Sequence, residues 1–227
     1  MRTRPGRSRR DGVPGAPVRG ARQQPRDRGL PGPGVRPLRL RRHGIRRVTV
    51  SFPSWCRIAT LVRSVVGFKA VWLCTVLGAA AGDVWLGPLA LLAFAGVQTF
   101  LSENRRRGLL VLASGLAMGL VMETVVVRAE WVSYAPGWPD SVLAPAWILA
   151  LWGAFSLMSI DGLAWLRGRR MLAAVLGATG APFAYFSGIA LGAGSEAGVA
   201  FYLTVGLFYA AATPLLVELG GALEGGG

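Results

Sequence analysis

Histidine is almost missing from this chain. The only one, His43, stands in an arginine-rich N-terminal stretch. Histidine-clustered iron sites, histidine-ligated haem and His-Glu-x-x-His zinc chemistry therefore lack their ligands. Cysteine is nearly as scarce. Cys56 and Cys74 are not spaced as a metal motif and read as free thiols, not as a disulfide framework. No lysine-bearing glycine-rich phosphate loop occurs, and the longest connector between apolar segments, 128–141, leaves no room for a soluble catalytic domain. Charge itself is sparse. Only 16% of residues are charged and 52% are hydrophobic, whereas soluble domains carry about a quarter charged residues. No metal and no cofactor is expected from these absences, and no catalytic motif is recognisable; an intramembrane enzyme using Glu123 or Asp161 as acid or base is a third reading, for which no paired carboxylates or nucleophile–base pair can be read from spacing.

What charge there is falls unevenly. The formal net charge is +14, yet 15 of the 25 basic residues precede Val48, opposed only by Asp11 and Asp27. Residues 1–47 also hold 8 Gly and 7 Pro and no Phe, Trp or Tyr. Such a stretch cannot bury enough apolar surface to offset the entropy of ordering it. Residues 1–57 are expected to be a disordered basic tail. Missing aromatics remove the stacking half of a nucleic-acid signature, so no nucleic acid is expected as a partner. Two readings stand for the tail: GC-rich DNA translated ahead of the true start, or an arm attracted to anionic lipid.

From 58 to 220 the pattern changes to long apolar runs. A hydrocarbon core of ~30 Å needs about 20 apolar residues in a helix. Runs of suitable length fall at about 65–81, 84–101, 108–127, 142–160, 171–191 and 199–217. They are continuous, unlike the period-two strands of a membrane barrel. The expected fold is all-α: a polytopic integral membrane bundle of about six transmembrane helices, followed by a flexible C-terminus at 221–227. Arginines set its orientation. Arg105, Arg106, Arg107, Arg167, Arg169 and Arg170 occupy alternate connectors, and only Arg128 occupies the others. Basic loops stay on the cytoplasmic side, which puts both termini there, in a bacterial inner membrane. Trp85, Trp131, Trp138 and Trp165 fall at helix ends or in loops, where interfacial tryptophans gather. Arg63 and Lys69 before a run ending Ala79-Ala80-Ala81 have the form of a signal peptide; the five spans that follow favour its retention as a helix.

Few polar residues lie at membrane depth, and such residues are functional candidates by default. Glu123 leads. It stands 15 residues beyond Gly108, ~23 Å along a helix at ~1.5 Å per residue. The competing reading lets it reach the outer surface. Gln98 suits an interhelical hydrogen bond, Lys69 suits snorkelling to the interface, and Asp161 lies near Arg167 at a helix end. Trp147, Trp152 and Phe155 make the fourth helix aromatic, for packing or to line an apolar pocket. Pro182 should kink the fifth helix and free a carbonyl, with Tyr185 and Ser187 the nearby partners. Gly78–Gly82, Gly115–Gly119, Gly188–Gly192 and Gly194–Gly198 are Gly-x-x-x-Gly pairs, suited to close helix packing or to a homo-oligomer face.

The segments FKAVWLCTVLGAAAGDVWLGPLALL, APAWILALWGAFSLMSIDGLAWLRGRRML and LGATGAPFAYFSGIALGA carry a resemblance. With Trp-x-x-x-Leu-Trp at Trp147–Trp152 and Gly-x-Pro-x-x-Tyr at Gly180–Tyr185, the chain resembles domain-of-unknown-function family 2878, a bacterial membrane-protein family, over about 65–219. The resemblance implies a polytopic inner-membrane protein and supplies no reaction. It implies an acidic residue at Glu123, and departures from the expected pattern at Lys69, Ile160 and Asp161. The function expected is association with membrane lipid or another apolar ligand, with Glu123, Gln98, Trp147, Trp152 and Tyr185 as the ligand-binding set. The alternative is a small-solute or proton-coupled transporter.

Overall fold

The computed structural model describes residues 54–102, 104–139, 143–196 and 198–224, except the side chains of Ser54, Cys56, Arg57 and Glu196. The tail through residue 53, the Cys56 thiol and residues 225–227 lie outside this description. The described residues form an all-α bundle of six helices: α1 Ser54–Ala80, α2 Leu86–Leu101, α3 Arg105–Arg128, α4 Ala146–Asp161, α5 Arg170–Ala190 and α6 Val199–Ala222. Four of them, α1, α3, α5 and α6, are long and apolar enough to cross a membrane. The other two, α2 and α4, have 16 residues each, or ~24 Å of helix. Bulky apolar side chains such as Leu92, Phe183, Leu203 and Leu207 stand exposed along the bundle's flanks.

Several helix bounds differ from those expected, for one physical reason. Searching for uncharged runs finds the part of a helix that suits lipid, not the part that is helical. So α1 begins at Ser54, ahead of the expected boundary at 58, and runs through Arg63 and Lys69. Likewise α6 continues past Glu218 to Ala222, into the segment expected to be flexible. Glu224 just beyond it pairs with Arg107 and Arg167. By contrast α4 starts late, because Pro145 occupies its N-cap and a proline disfavours helical backbone in the residue before it.

Two short strands were not anticipated. β1 (Val132–Tyr134) pairs antiparallel with β2 (Gly194–Glu196), setting Tyr134 opposite Gly194. The ribbon joins the α3–α4 loop to the α5–α6 loop. Glu130 turns the chain into it with a φ of 56°. A Cβ on Gly194 would lie 2.7 Å from the Ser133 carbonyl oxygen, so only glycine permits this approach.

At the centre stands α4, apolar on every side, as a fully enclosed helix must be. It packs against α1, α2, α3 and α6, while α5 packs chiefly on α6. Its hydroxyls close on their own backbone: Ser156 donates to the Gly153 carbonyl and Ser159 to that of Ser156. A close seam lies between α3 and α4, where a Cβ on Gly115 would strike Ser156 and one on Gly119 would strike Trp152. That Gly-x-x-x-Gly pair is thus occupied within the chain. In each of the other three pairs the second glycine also makes a turn, since Gly82, Gly192 and Gly198 have φ values of 81°, 98° and 118°.

Asp161 stands near Arg167, which donates to the adjoining Ile160 carbonyl at 2.8 Å, and pairs with Arg63 of α1 at 3.6 Å. One expected partnership is corrected. Neither Ser187 nor Tyr185 serves the carbonyl freed by Pro182. Ser187 donates to Phe183 one turn back, a closure open to any helical serine, and Tyr185 donates to Glu123. The freed Ala178 carbonyl instead faces Gly206 of α6, where a Cβ would sit 3.0 Å from its oxygen.

Gly119→Leu should drive the α3–α4 seam apart at Trp152. Overpacking costs about 1–3 kcal/mol, so thermal unfolding in mild detergent should begin several degrees lower. Gly96→Ala, where a Cβ meets nothing within 4 Å, should leave the transition in place.

Candidate functional site

Glu123 does not reach a surface. It is 0% exposed, and its carboxylate accepts three hydrogen bonds from three separate elements. Trp152 Nε1 of α4 donates to Oε1 at 2.8 Å. The Tyr185 hydroxyl of α5 donates to the same oxygen through a short bond. The Tyr134 hydroxyl, carried on β1, donates to Oε2 at 2.6 Å. None of the four ion pairs among the described residues includes Glu123. Its donors are all neutral, and together they satisfy both of its oxygens, as a buried polar group requires.

The aromatic groups around it fix one another. Tyr209 of α6 stacks on Trp152 with ring centroids 4.4 Å apart. Phe201 and Tyr209 meet Tyr185 edge-on at 5.7 and 6.2 Å. Trp147 stands edge-on to Tyr134 at 5.4 Å and ties its own indole N–H to the Pro136 carbonyl at 3.1 Å. Burial, and then the Glu123 carboxylate beside it, push the Tyr134 phenol well above its ordinary value. Tyr134 therefore stays a hydrogen-bond donor throughout the neutral range.

On the far side of these tyrosines lies a cavity of about 320 Å³. One wall comes from α1 and α4, with Phe68, Trp72, Val76, Trp147, Ile148, Leu151 and Phe155. The other comes from α5 and α6, with Gly177, Gly180, Ala181, Tyr185, Tyr209 and Thr213. The helices α1 and α5 draw together at one end, where Gly188 faces Val76 and Gly192 faces Ala80. Below that they diverge around the cavity, and its mouth is marked by exposed Lys69, Leu176 and Gly180. Lys69 Nζ stands 5.8 Å from the Trp72 ring centroid. Thr213 is 2% exposed and its hydroxyl has no hydrogen-bond partner.

Of the five residues singled out from sequence, Glu123, Trp152 and Tyr185 are brought into direct contact. Trp147 lines the cavity beside them. Gln98 stands apart: its side-chain N–H donates to Ser64 Oγ of α1 at 3.1 Å. It borders a separate polar pocket of about 300 Å³ with Arg63, Arg107, Asp161 and Glu224. Sequence reasoning missed Tyr134, Tyr209 and Thr213. Tyr209 and Thr213 fall four residues apart and so share a helix face, the signal that could have found them. Tyr134 lies in a loop, where no periodicity marks it. Among the described residues no group of three His, Cys, Asp or Glu stands together to hold a metal.

The bundle and this site define a helical protein suited to a lipid bilayer, with a carboxylate held by aromatic donors behind an apolar cavity. The family described as Protein of unknown function (DUF2878) matches residues 61–215, and the chain belongs to it. That stretch holds the carboxylate cluster and the whole cavity lining. Neither the curated proteins nor the solved structures give a match.

Glu123→Leu should strand three buried donors at roughly 1–3 kcal/mol each, and thermal unfolding in detergent should show a large loss. Glu123→Gln keeps one carbonyl oxygen for Trp152 or Tyr185 and should lose clearly less. Equal tolerance of both variants would contradict the assigned bonding.

Proposed function

We propose that the protein is a multi-pass protein of the bacterial cytoplasmic membrane that holds a lipid or similar apolar molecule in the cavity between α1 and α5. One observation carries this reading: a hydrocarbon-lined space of ligand size that opens between two helices instead of toward a loop. Binding sites for small molecules are concave, mostly apolar and about 300–1,000 Å³, with a few polar groups fixing orientation. Here Tyr134, Tyr185 and Tyr209 are those groups. A mouth flanked by helix sides faces the hydrocarbon layer, so a membrane-dissolved guest reaches it without crossing water.

In this reading all six helices traverse the bilayer. The short α4 is wrapped by its neighbours, and its approach loop is fastened inside the bundle, with the Ala146 N–H donating to the Trp138 carbonyl at 3.0 Å. Backbone away from regular helix is tolerated at membrane depth only when protein surrounds it in this way. The arginines at 105–107 and 167–170 face the cytoplasm, with both termini. Glu123 is enclosed by its donors behind the cavity wall, which suits an anchoring role better than the moving proton of a transporter.

Gly180 supplies the test. It lines the cavity, and a Cβ there meets nothing within 4 Å. Gly180→Phe should fill the space, leave the thermal transition unchanged or raised, and abolish the lipid that native mass spectrometry finds on the wild-type protein released from mild detergent. Equal retention of lipid by both proteins would overturn the assignment. Reporter fusions at the 102–107 bend should read as cytoplasmic; an outside signal would reverse the orientation.

A further inference from the structure

The charge at the cavity mouth has no counter-ion among the described residues. Lys69 stands six residues beyond Arg63 in α1, or ~9 Å further along the helix. Arg63 pairs with Asp161 where α4 ends, but none of the four ion pairs includes Lys69. One turn to either side of it, Val66 and Leu73 are exposed at 60% and 48%. The lysine therefore interrupts an apolar outward band of α1. A charge at such a place in a membrane span is costly unless something pairs with it.

The cavity does not supply that partner from its own walls. Its lining includes Lys69 but no Asp or Glu. The ammonium lies 5.8 Å from the centroid of the Trp72 ring, within the range of a cation–π contact, and Trp72 itself lines the cavity. Such a contact keeps the cation at the rim without neutralising it. Beyond the rim the lining of α1 runs on to Val76, seven residues or ~10 Å further. Hydrocarbon from Ile148, Leu151 and Phe155 faces that stretch.

Accepting that the cavity holds a membrane-dissolved guest, we infer that the guest is a fatty acid: one hydrocarbon chain inside the cavity, and a carboxylate at the mouth paired with the Lys69 ammonium. A single cation at the rim is matched by a single carboxylate. Lysine is a point charge and lacks the fork with which arginine grips the several oxygens of a phosphate. At about 320 Å³ the space stands at the small end of ligand sites, which suits one chain and not the two of a bilayer phospholipid.

The test uses the full chain in mild non-ionic detergent, at a pH that keeps the acid ionised. It is titrated with a brominated long-chain fatty acid and, separately, with the methyl ester of the same acid. Quenching of intrinsic tryptophan fluorescence reads occupancy next to Trp72 and Trp147. Comparing the acid-to-ester affinity ratio between wild type and variants cancels the partitioning of each probe into micelles. Lys69→Met keeps an unbranched apolar stem and should cut that ratio by about tenfold or more, with ester binding unchanged. Lys69→Arg keeps the charge and should retain most of the preference. A ratio unaltered by Lys69→Met would overturn the fatty-acid assignment, since the lysine would then serve only the headgroups of the surrounding bilayer. Absence of quenching by both probes in the wild-type protein would instead sink the lipid-holding reading itself.

Discussion

One buried carboxyl organises this bundle. Glu123 draws a tryptophan from α4, a tyrosine from α5 and a tyrosine from the β-ribbon onto its two oxygens. A buried carboxyl without hydrogen-bond partners is costly in either protonation state. That cost is offset only while all three donors stay in place. The cluster therefore holds the positions of three elements to one another, and the aromatic rings that line the cavity inherit those positions. Without the carboxyl, Tyr185 and Trp152 would have no reason to turn inward together.

The central helix makes the cluster possible. Because α4 is apolar all round and carries Gly153 and Ala154 among larger side chains, four neighbours can pack on it. The Gly115–Gly119 stripe of α3 lets Trp152 pass close to the α3 backbone. Its indole N–H then meets a glutamate one turn beyond Gly119. Small residues at one position and a large aromatic at the other are one device, since neither would bring the donor within reach alone.

Much of this was written in the sequence, and the rest was not, for reasons that separate cleanly. The six helices were legible because apolar runs of that length have few alternatives. Their ends were less so, since Arg63, Glu218 and Pro145 move helix boundaries independently of lipid preference. Glu123, Trp152 and Tyr185 stood out as polar or amphipathic groups in apolar surroundings, but nothing in their spacing said that they meet. They lie 29 and 62 residues from Glu123, and only tertiary packing closes such distances. Gln98 has the same sequence character as Glu123, yet it bonds to Ser64 and borders the separate polar pocket. Tyr134 was hidden for a different reason. Its position depends on a ribbon of three residues per strand, too short to leave a period-two trace, and on the missing side chain of Gly194.

The way α1 is attached has a consequence for the width of the cavity. It is fastened along α2 and α4 but approaches α5 near only one tip, at Val76 and Ala80. Parting α1 from α5 would disturb that tip and none of the bonds to Glu123. Width and polar lining are thereby assigned to different parts of the molecule. The cavity widens by spreading one pair of helices, while the tyrosines bonded to Glu123 remain clamped on the other side.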